Sequence, residues 1–325
     1  MGRRILALSL LALSLCILIA TPILAFTPAG TRLLTNAGLV DTPTPIVIAT
    51  PTPPPAPKLV LTVHGPLPKT SAKAIYLVDM DSGHVLINID AETPLPMAST
   101  TKIMTALIAI QTGNLGQTIT IQQDAVNESV LHNGSNAQLQ AGEKIKLKDL
   151  LYALLLPSGD DAAVAIADGL GESEANFVTW MNLFAQRHHL YQTHYADPDG
   201  LNWRGSPNHY STAADLTTLA EYAMQVPLFA QIVKTQTYSI PATAEHIAHT
   251  WYNTNNALLT AYPGMLGIKT GTTDAAGYCL VFAAIRHGHH LVGTILNSQS
   301  ESLRVDDTEK VLNWAFALPM RPPVA

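Results

Sequence analysis

Cysteine is almost absent from this sequence: Cys16 and Cys279 are the only two in 325 residues. Cys16 lies in the N-terminal apolar run, so a processed chain would keep one thiol. A single thiol forms no intrachain disulfide, and the folded part must be held by its core. Cys279 itself sits in the apolar run Tyr278-Cys-Leu-Val-Phe-Ala-Ala284, where a buried structural cysteine is the default rather than a reactive one. Charge is also scarce. Asp, Glu, Lys and Arg make up 13% of the residues against a usual quarter. The formal net charge is -6 and the only basic block is Arg3-Arg4, which excludes nucleic acid as a partner class. No internal repeat is found.

What is plentiful is apolar surface, 47% of the residues. Part of it lies at the N-terminus, where Arg3 and Arg4 precede an uncharged run from Ile5 to Phe26. This reads as a signal peptide or an N-terminal membrane anchor over residues 1–26. Either one exports the rest of the chain, so an extracytoplasmic, cell wall-associated protein is expected. Residues 27–70 hold ten of the 22 prolines and read as an extended linker. A folded domain is expected from 71 to 318, with 319–325 as a tail.

Within that domain, Ala74–Asp79 and His84–Ile89 flank Met80-Asp-Ser-Gly83 as a β-hairpin, and 278–286 with 290–297 form a second. The spacing of apolar residues predicts helices over 99–112, 147–156, 160–170, 173–189, 212–225 and 302–317. Strands at both ends with helices between suggest one sheet built from the two termini, with a helical lobe inserted.

Three short stretches carry chemistry. The first is Ser99-Thr-Thr-Lys102, the second Pro157-Ser-Gly-Asp160, the third Gly267-Ile-Lys-Thr-Gly-Thr272. By spacing alone, Lys102 is either a solvated charge at the head of a helix or a group held there for chemistry. At i and i+3 on a helix, its amine can reach the Ser99 hydroxyl. A serine needs a base to become a nucleophile, and a lysine serves only when neutral. Lys269 would be the second cation that favours the neutral form, Ser158 a proton relay on a loop, and the helix start at Ser99 a source of free N–H groups for an oxyanion. Gly271 would let a substrate backbone approach its strand.

In this order the three stretches resemble the Ser-x-x-Lys, Ser-x-Asn and Lys-Thr-Gly signature of penicillin-binding proteins and class A β-lactamases. The sequence is similar to the D-alanyl-D-alanine carboxypeptidase family, the low-molecular-weight penicillin-binding proteins. The resemblance extends to Tyr195-Ala-Asp-Pro-Asp-Gly-Leu201, Ser211-Thr-Ala-Ala-Asp215 and Tyr262-Pro-Gly264. It implies an α/β (α+β) fold of the serine DD-peptidase and β-lactamase type, an antiparallel sheet flanked by helices with an inserted helical lobe. It further implies a penicillin-sensitive serine D-Ala-D-Ala carboxypeptidase acting through an acyl-enzyme on peptidoglycan stem peptides, with β-lactams as inhibitors and no cofactor. Ser99 would be acylated, Lys102 would be its general base, and Ser158 would relay protons. Lys269 and Thr270 would hold the substrate carboxylate, and the N–H groups of Ser99 and Thr272 would form the oxyanion hole. Many members carry a C-terminal β-domain and amphipathic anchor. The ending Pro319-Met-Arg-Pro-Pro-Val-Ala325 implies that both are missing here, with tethering left to the leader.

Position 160 departs from the signature, with Asp where the family has an amide. An ionised Asp160 can only accept hydrogen bonds. It either pairs with Lys102, keeping that amine protonated, or serves as a helix N-cap. Two rival functions follow. A β-lactamase needs a water-activating glutamate, and Glu172-Ser-Glu-Ala-Asn176 is too close to Ser158 and reads as the acidic first turn of a helix. A non-catalytic muropeptide-binding sensor is motivated by Asp160. Histidines at 287, 289 and 290, and at 188, 189 and 194, invite a metal, but neither set has carboxylates at zinc spacing. Asp197, Asp199 and Asn202 lack the twelve-residue calcium-loop pattern. No metal site is expected.

Overall fold

The computed structural model describes residues 59–202 and 205–322. The leader, and the linker up to residue 58, lie outside the described residues. Among the described residues no helix is long and apolar enough to cross a membrane.

The chain begins with β1 (Val60–Leu61), β2 (Ala74–Asp79) and β3 (His84–Ile89). A 3₁₀ turn (Ala98–Thr101) then opens α1 (Lys102–Thr112), followed by β4 (Thr118–Thr120), α2 (Gln123–Leu131) and β5 (Lys144–Lys146). Next come α3 (Leu147–Leu155), α4 (Asp160–Gly171), α5 (Glu174–Arg187), α6 (Ala213–Met224) and α7 (Pro227–Val233). The hairpin β6 (Thr237–Ile240) and β7 (His249–Tyr252) precedes α8 (Asn256–Ala261), β8 (Met265–Thr273), β9 (Gly277–Arg286), β10 (His289–Ser298), α9 (Glu301–Phe316) and β11 (Met320–Arg321).

One antiparallel sheet of order β3-β2-β10-β9-β8 joins the two ends of the domain. Successive side chains of a strand point to opposite faces, and β9 shows how that builds two cores. Cys279, Val281 and Ala283 enter the cluster shared with the helical lobe. Leu280, Phe282 and Ala284 enter a second cluster with Val311, Leu312 and Ala315 of α9. A strand buried on both faces has to be apolar throughout, which is why β9 reads as a continuous run. In the lobe, α1 is buried from Lys102 to Ala109. Each of its fully buried large apolar side chains contributes about 1.5–3 kcal/mol of transfer free energy.

The six expected helices and both hairpins are present, with ends shifted by three residues at most. Secondary structure extends beyond the expected domain limits on both sides: Val60 and Leu61, assigned to the linker, pair with Arg321 and Met320, assigned to the tail.

Candidate active site

Three elements meet at one end of the sheet. The 3₁₀ turn presents Ser99, and the following helix starts with Lys102 pointing into the lobe, fully buried. Ala98, just before Ser99, has a left-handed backbone (φ 48°). Ser158 stands between α3 and α4 with φ 68°, in the region L-residues avoid, and is 4% exposed. Strain of this kind, worth about 1–3 kcal/mol, persists where the surroundings enforce it. The third element is β8, carrying Lys269, Thr270, Gly271 and Thr272.

β8 runs directly beside the 3₁₀ turn. A Cβ on Gly271 would lie 3.0 Å from both the Met97 carbonyl oxygen and the Ser99 nitrogen. The glycine is therefore required by the contact between the two elements, a different reason from the substrate access expected of it.

Lys102 Nζ lies 2.8 Å from Ser99 Oγ, 2.5 Å from Asp160 Oδ1 and 2.7 Å from the Asp199 carbonyl oxygen. These three contacts suit either protonation state. An ammonium donates to all three. A neutral amine donates to Asp160 and the Asp199 carbonyl and turns its lone pair toward the Ser99 hydroxyl. Asp160 opens α4 but does not cap it: the N-cap is Gly159, without a side-chain cap. Of the two roles open to Asp160, pairing with Lys102 is the one seen. Burial raises the Asp160 carboxyl, and Lys102 opposes that rise. Asp161 is pushed up to about 6 by burial, against hydrogen bonds accepted from the backbone N–H groups of Ala137, Leu139 and Ala162.

Lys269 is fully buried and donates to the Thr270 carbonyl at 2.8 Å. Burial first, then the neighbouring Lys102, pushes its amine well below the ordinary lysine range; Asp160 opposes and Arg304 adds. Thr270 Oγ1 and Thr254 Oγ1 are 2.8 Å apart. Thr272 is exposed at the rim of a cleft of about 1050 Å³, which Ala98, Gly200, His209, Asp274 and Tyr278 also line.

Sequence reasoning missed several neighbours. The Asp199 main chain holds Lys102, while its fully buried carboxyl is raised well above the carboxylate range by burial and by Asp160 and Asp197. Burial lowers the His209 imidazole, against the opposing pull of Asp197, whose Oδ2 lies 3.2 Å from Nδ1. Its Nδ1 accepts from Ala196 N–H at 3.1 Å, and its Nε2 lies 2.8 Å from Thr101 Oγ1, two residues from Ser99. Arg304, 5% exposed, places Nη1 3.4 Å from Thr272 Oγ1. Motif spacing gave no signal for these. Only the Asp-Pro-Asp-Gly-Leu stretch did, through its family resemblance.

The residues weighed for calcium and the histidines at 188, 189 and 194 make local contacts. Asp197 Oδ1 accepts from Gly200, Asp199 Oδ1 from Leu201 and Asn202 Oδ1 from Ser206, each within its own turn. His188 stacks on Phe184, while His189 pairs with Tyr191 and His194 with the Asn208 carbonyl.

The sequence profile of Peptidase S11, D-alanyl-D-alanine carboxypeptidase, matches residues 60–300. The chain belongs to this family. It is 38% identical over 263 residues to a D-alanyl-D-alanine carboxypeptidase of Streptomyces sp. (strain K15), covering 77% of this chain and 89% of that one. It is 32% identical over 248 residues to D-alanyl-D-alanine carboxypeptidase DacF of Bacillus subtilis, covering 76% of this chain and 62% of that longer protein. The crystal structure of the Streptomyces K15 DD-transpeptidase superposes with a TM-score of 0.73 at 38% identity, over 78% of this chain and all of that one. The fold is thus the serine DD-peptidase type that the sequence implied.

Proposed function

We propose that this protein is an exported serine D-Ala-D-Ala carboxypeptidase acting on peptidoglycan stem peptides, with Ser99 as its nucleophile. The observation that carries the reading is the Ser99 Oγ–Lys102 Nζ contact of 2.8 Å beside the Lys269-Thr-Gly strand. As Ser99 Oγ attacks the carbonyl carbon of the penultimate D-alanine, its proton passes to the neutral Lys102 amine. The carbonyl oxygen becomes an oxyanion, for which the backbone N–H groups of Ser99 and Thr272 are the donors. The C–N bond breaks, and the departing D-alanine amine takes a proton from Lys102, with Ser158 as relay. Water then attacks the Ser99 ester, returning the hydroxyl and releasing the shortened peptide. Lys269, with Thr270 and Arg304 nearby, receives the terminal carboxylate. That anion compensates the burial of the Lys269 charge, a charge-assisted contact worth roughly 1.5–3 kcal/mol.

The β-lactamase reading lacks its glutamate. Glu172 is exposed at the far end of α4, twelve residues from Asp160, or about 18 Å along the helix. The test of the proposal is D-alanine release from an N-acylated peptide ending in D-Ala-D-Ala. Release is expected from wild type, is lost in Ser99→Ala, and is absent with a terminal L-alanine. Equal release by Ser99→Ala would refute the assignment.

A further inference from the structure

Two of the histidines weighed as metal ligands and set aside acquire carboxylate partners from the other end of the domain. His289 Nδ1 lies 3.0 Å from Asp79 Oδ2, and His290 Nδ1 lies 2.9 Å from Asp81 Oδ2, across separations of 210 and 209 residues. The pairing of β10 with β2, Leu291 opposite Asp79, brings the two turns together. Ligand atoms of Asp79, Asp81 and His289 all fall within 4.8 Å of one another. Asp79 is fully buried and His289 is 6% exposed. The ground on which the sequence excluded zinc, the want of carboxylates beside these histidines, does not hold in the folded chain.

We propose that Asp79, Asp81 and His289 form a zinc site. One imidazole and two carboxylates make a mixed nitrogen and oxygen donor set that suits Zn²⁺ and not Ca²⁺ or Mg²⁺, which prefer oxygen alone, and a water would complete the tetrahedron. His290, next on the strand, turns to the opposite face and pairs with Asp81 without joining the group. Ligand atoms at about 2.0–2.2 Å from a tetrahedral ion lie roughly 3.3 Å from each other, close to the 3.0 Å between His289 Nδ1 and Asp79 Oδ2. The His289 Nδ1 that now faces a carboxylate must offer its lone pair. A neutral ring does so by moving its proton from Nδ1 to Nε2, with no proton lost to solvent. Asp79 is already oriented, since its Oδ2 accepts from Ser82 Oγ at 2.8 Å and its Oδ1 from Asp81 N–H at 3.2 Å.

The site clasps the β2–β3 turn to the β9–β10 turn. His289 opens β10 and Ser298 closes it, and Ser298 pairs through Tyr278 of β9 with Thr272 of β8. At about 3.3 Å per residue, the cluster lies roughly 30 Å from the Ser99 end of the sheet. A bound ion there adds stability and leaves catalysis alone, because an ion that binds only the folded state shifts unfolding by mass action.

The experiment uses the untagged protein freed of metal by chelation. Titration with Zn²⁺ is expected to show one bound ion. At a free ion concentration about a hundredfold above Kd, the melting temperature should rise by roughly 5–10 °C. Ca²⁺ should give no rise, and Co²⁺ should give visible d–d absorption. The conservative His289→Gln and the half-buried Asp81→Asn serve as the variants, each losing at least tenfold in affinity with D-alanine release unchanged. Absence of Zn²⁺ binding by wild type, or equal binding by both folded variants, would overturn the proposal.

Discussion

Lys102 Nζ and Asp160 Oδ1 are 2.5 Å apart in a buried pair, 58 residues apart in sequence. The Ser-x-Asn signature has an amide at position 160, so this contact is where the chain departs from that signature. An ionised Asp160 stabilises the ammonium form of Lys102, which cannot accept the Ser99 proton. Asp160→Asn keeps an oxygen that can accept from Lys102 and removes the charge. Acylation by a fluorescent penicillin should therefore rise about tenfold at neutral pH, equivalent to roughly 1.4 kcal/mol. The acid limb of its pH profile should move down. Superimposable profiles between pH 6 and 10 would contradict the coupling.

Lys269 gives a prediction with an internal control. Its amine is held well below the usual lysine range, so in the free enzyme it loses its proton at a lower pH than an ordinary lysine. A substrate carboxylate needs the protonated form, so KM should increase as pH rises through that lowered value. Lys269→Ala should lose about one to two orders of magnitude in kcat/KM on peptides ending in D-Ala-D-Ala. An equal loss on the C-terminally amidated peptide would remove the carboxylate role.

Gly271→Ala separates packing from access. The added Cβ would meet backbone atoms of Met97 and Ser99 at 3.0 Å, and backbone yields less readily than a flexible side chain. Destabilisation of about 1–3 kcal/mol is expected from such overpacking, together with slower acylation because the Ser99 turn shifts. A variant with wild-type melting temperature and a raised KM alone would favour the access role expected from sequence.

The same geometry shows what a sequence can and cannot reveal. Ser99, Lys102 and Lys269 were legible because each sits in a local motif whose spacing has a mechanical meaning. The long helices and the two apolar hairpins were legible from periodicity. The three-residue strands Thr118–Thr120 and Lys144–Lys146 were not, since three residues are too few to display a period of two. Asp199 was given no place beside Lys102, neither by the calcium pattern nor by the stretch that resembles the family, because its main-chain contact with Lys102 spans 97 residues. Arg304, on the sheet-facing side of α9, is brought to Thr272 by tertiary packing alone. His289 and His290 showed no carboxylate partners for the same reason, their partners being more than 200 residues away.

Asp161 makes stability depend on pH. Its folded pKa, about 6, is above the 3.8 of a free aspartate side chain, so the folded state binds the proton more tightly. This group favours folding fully below the unfolded value, and that contribution is lost as pH rises through about 6. The full swing is about 3 kcal/mol. Asp161→Asn should be less stable than wild type at every pH, having lost an acceptor for the Leu139 N–H, and the gap should widen between pH 7 and pH 4. A gap that narrows in acid would contradict the assignment.

The central claim is a covalent acyl-enzyme on Ser99, and mass spectrometry after incubation with a penicillin tests it most directly. One adduct per chain, mapping to the peptide that contains Ser99 and missing from Ser99→Ala, is the predicted result. An adduct that persists in Ser99→Ala, or one that maps to the peptide containing Ser158, would contradict it.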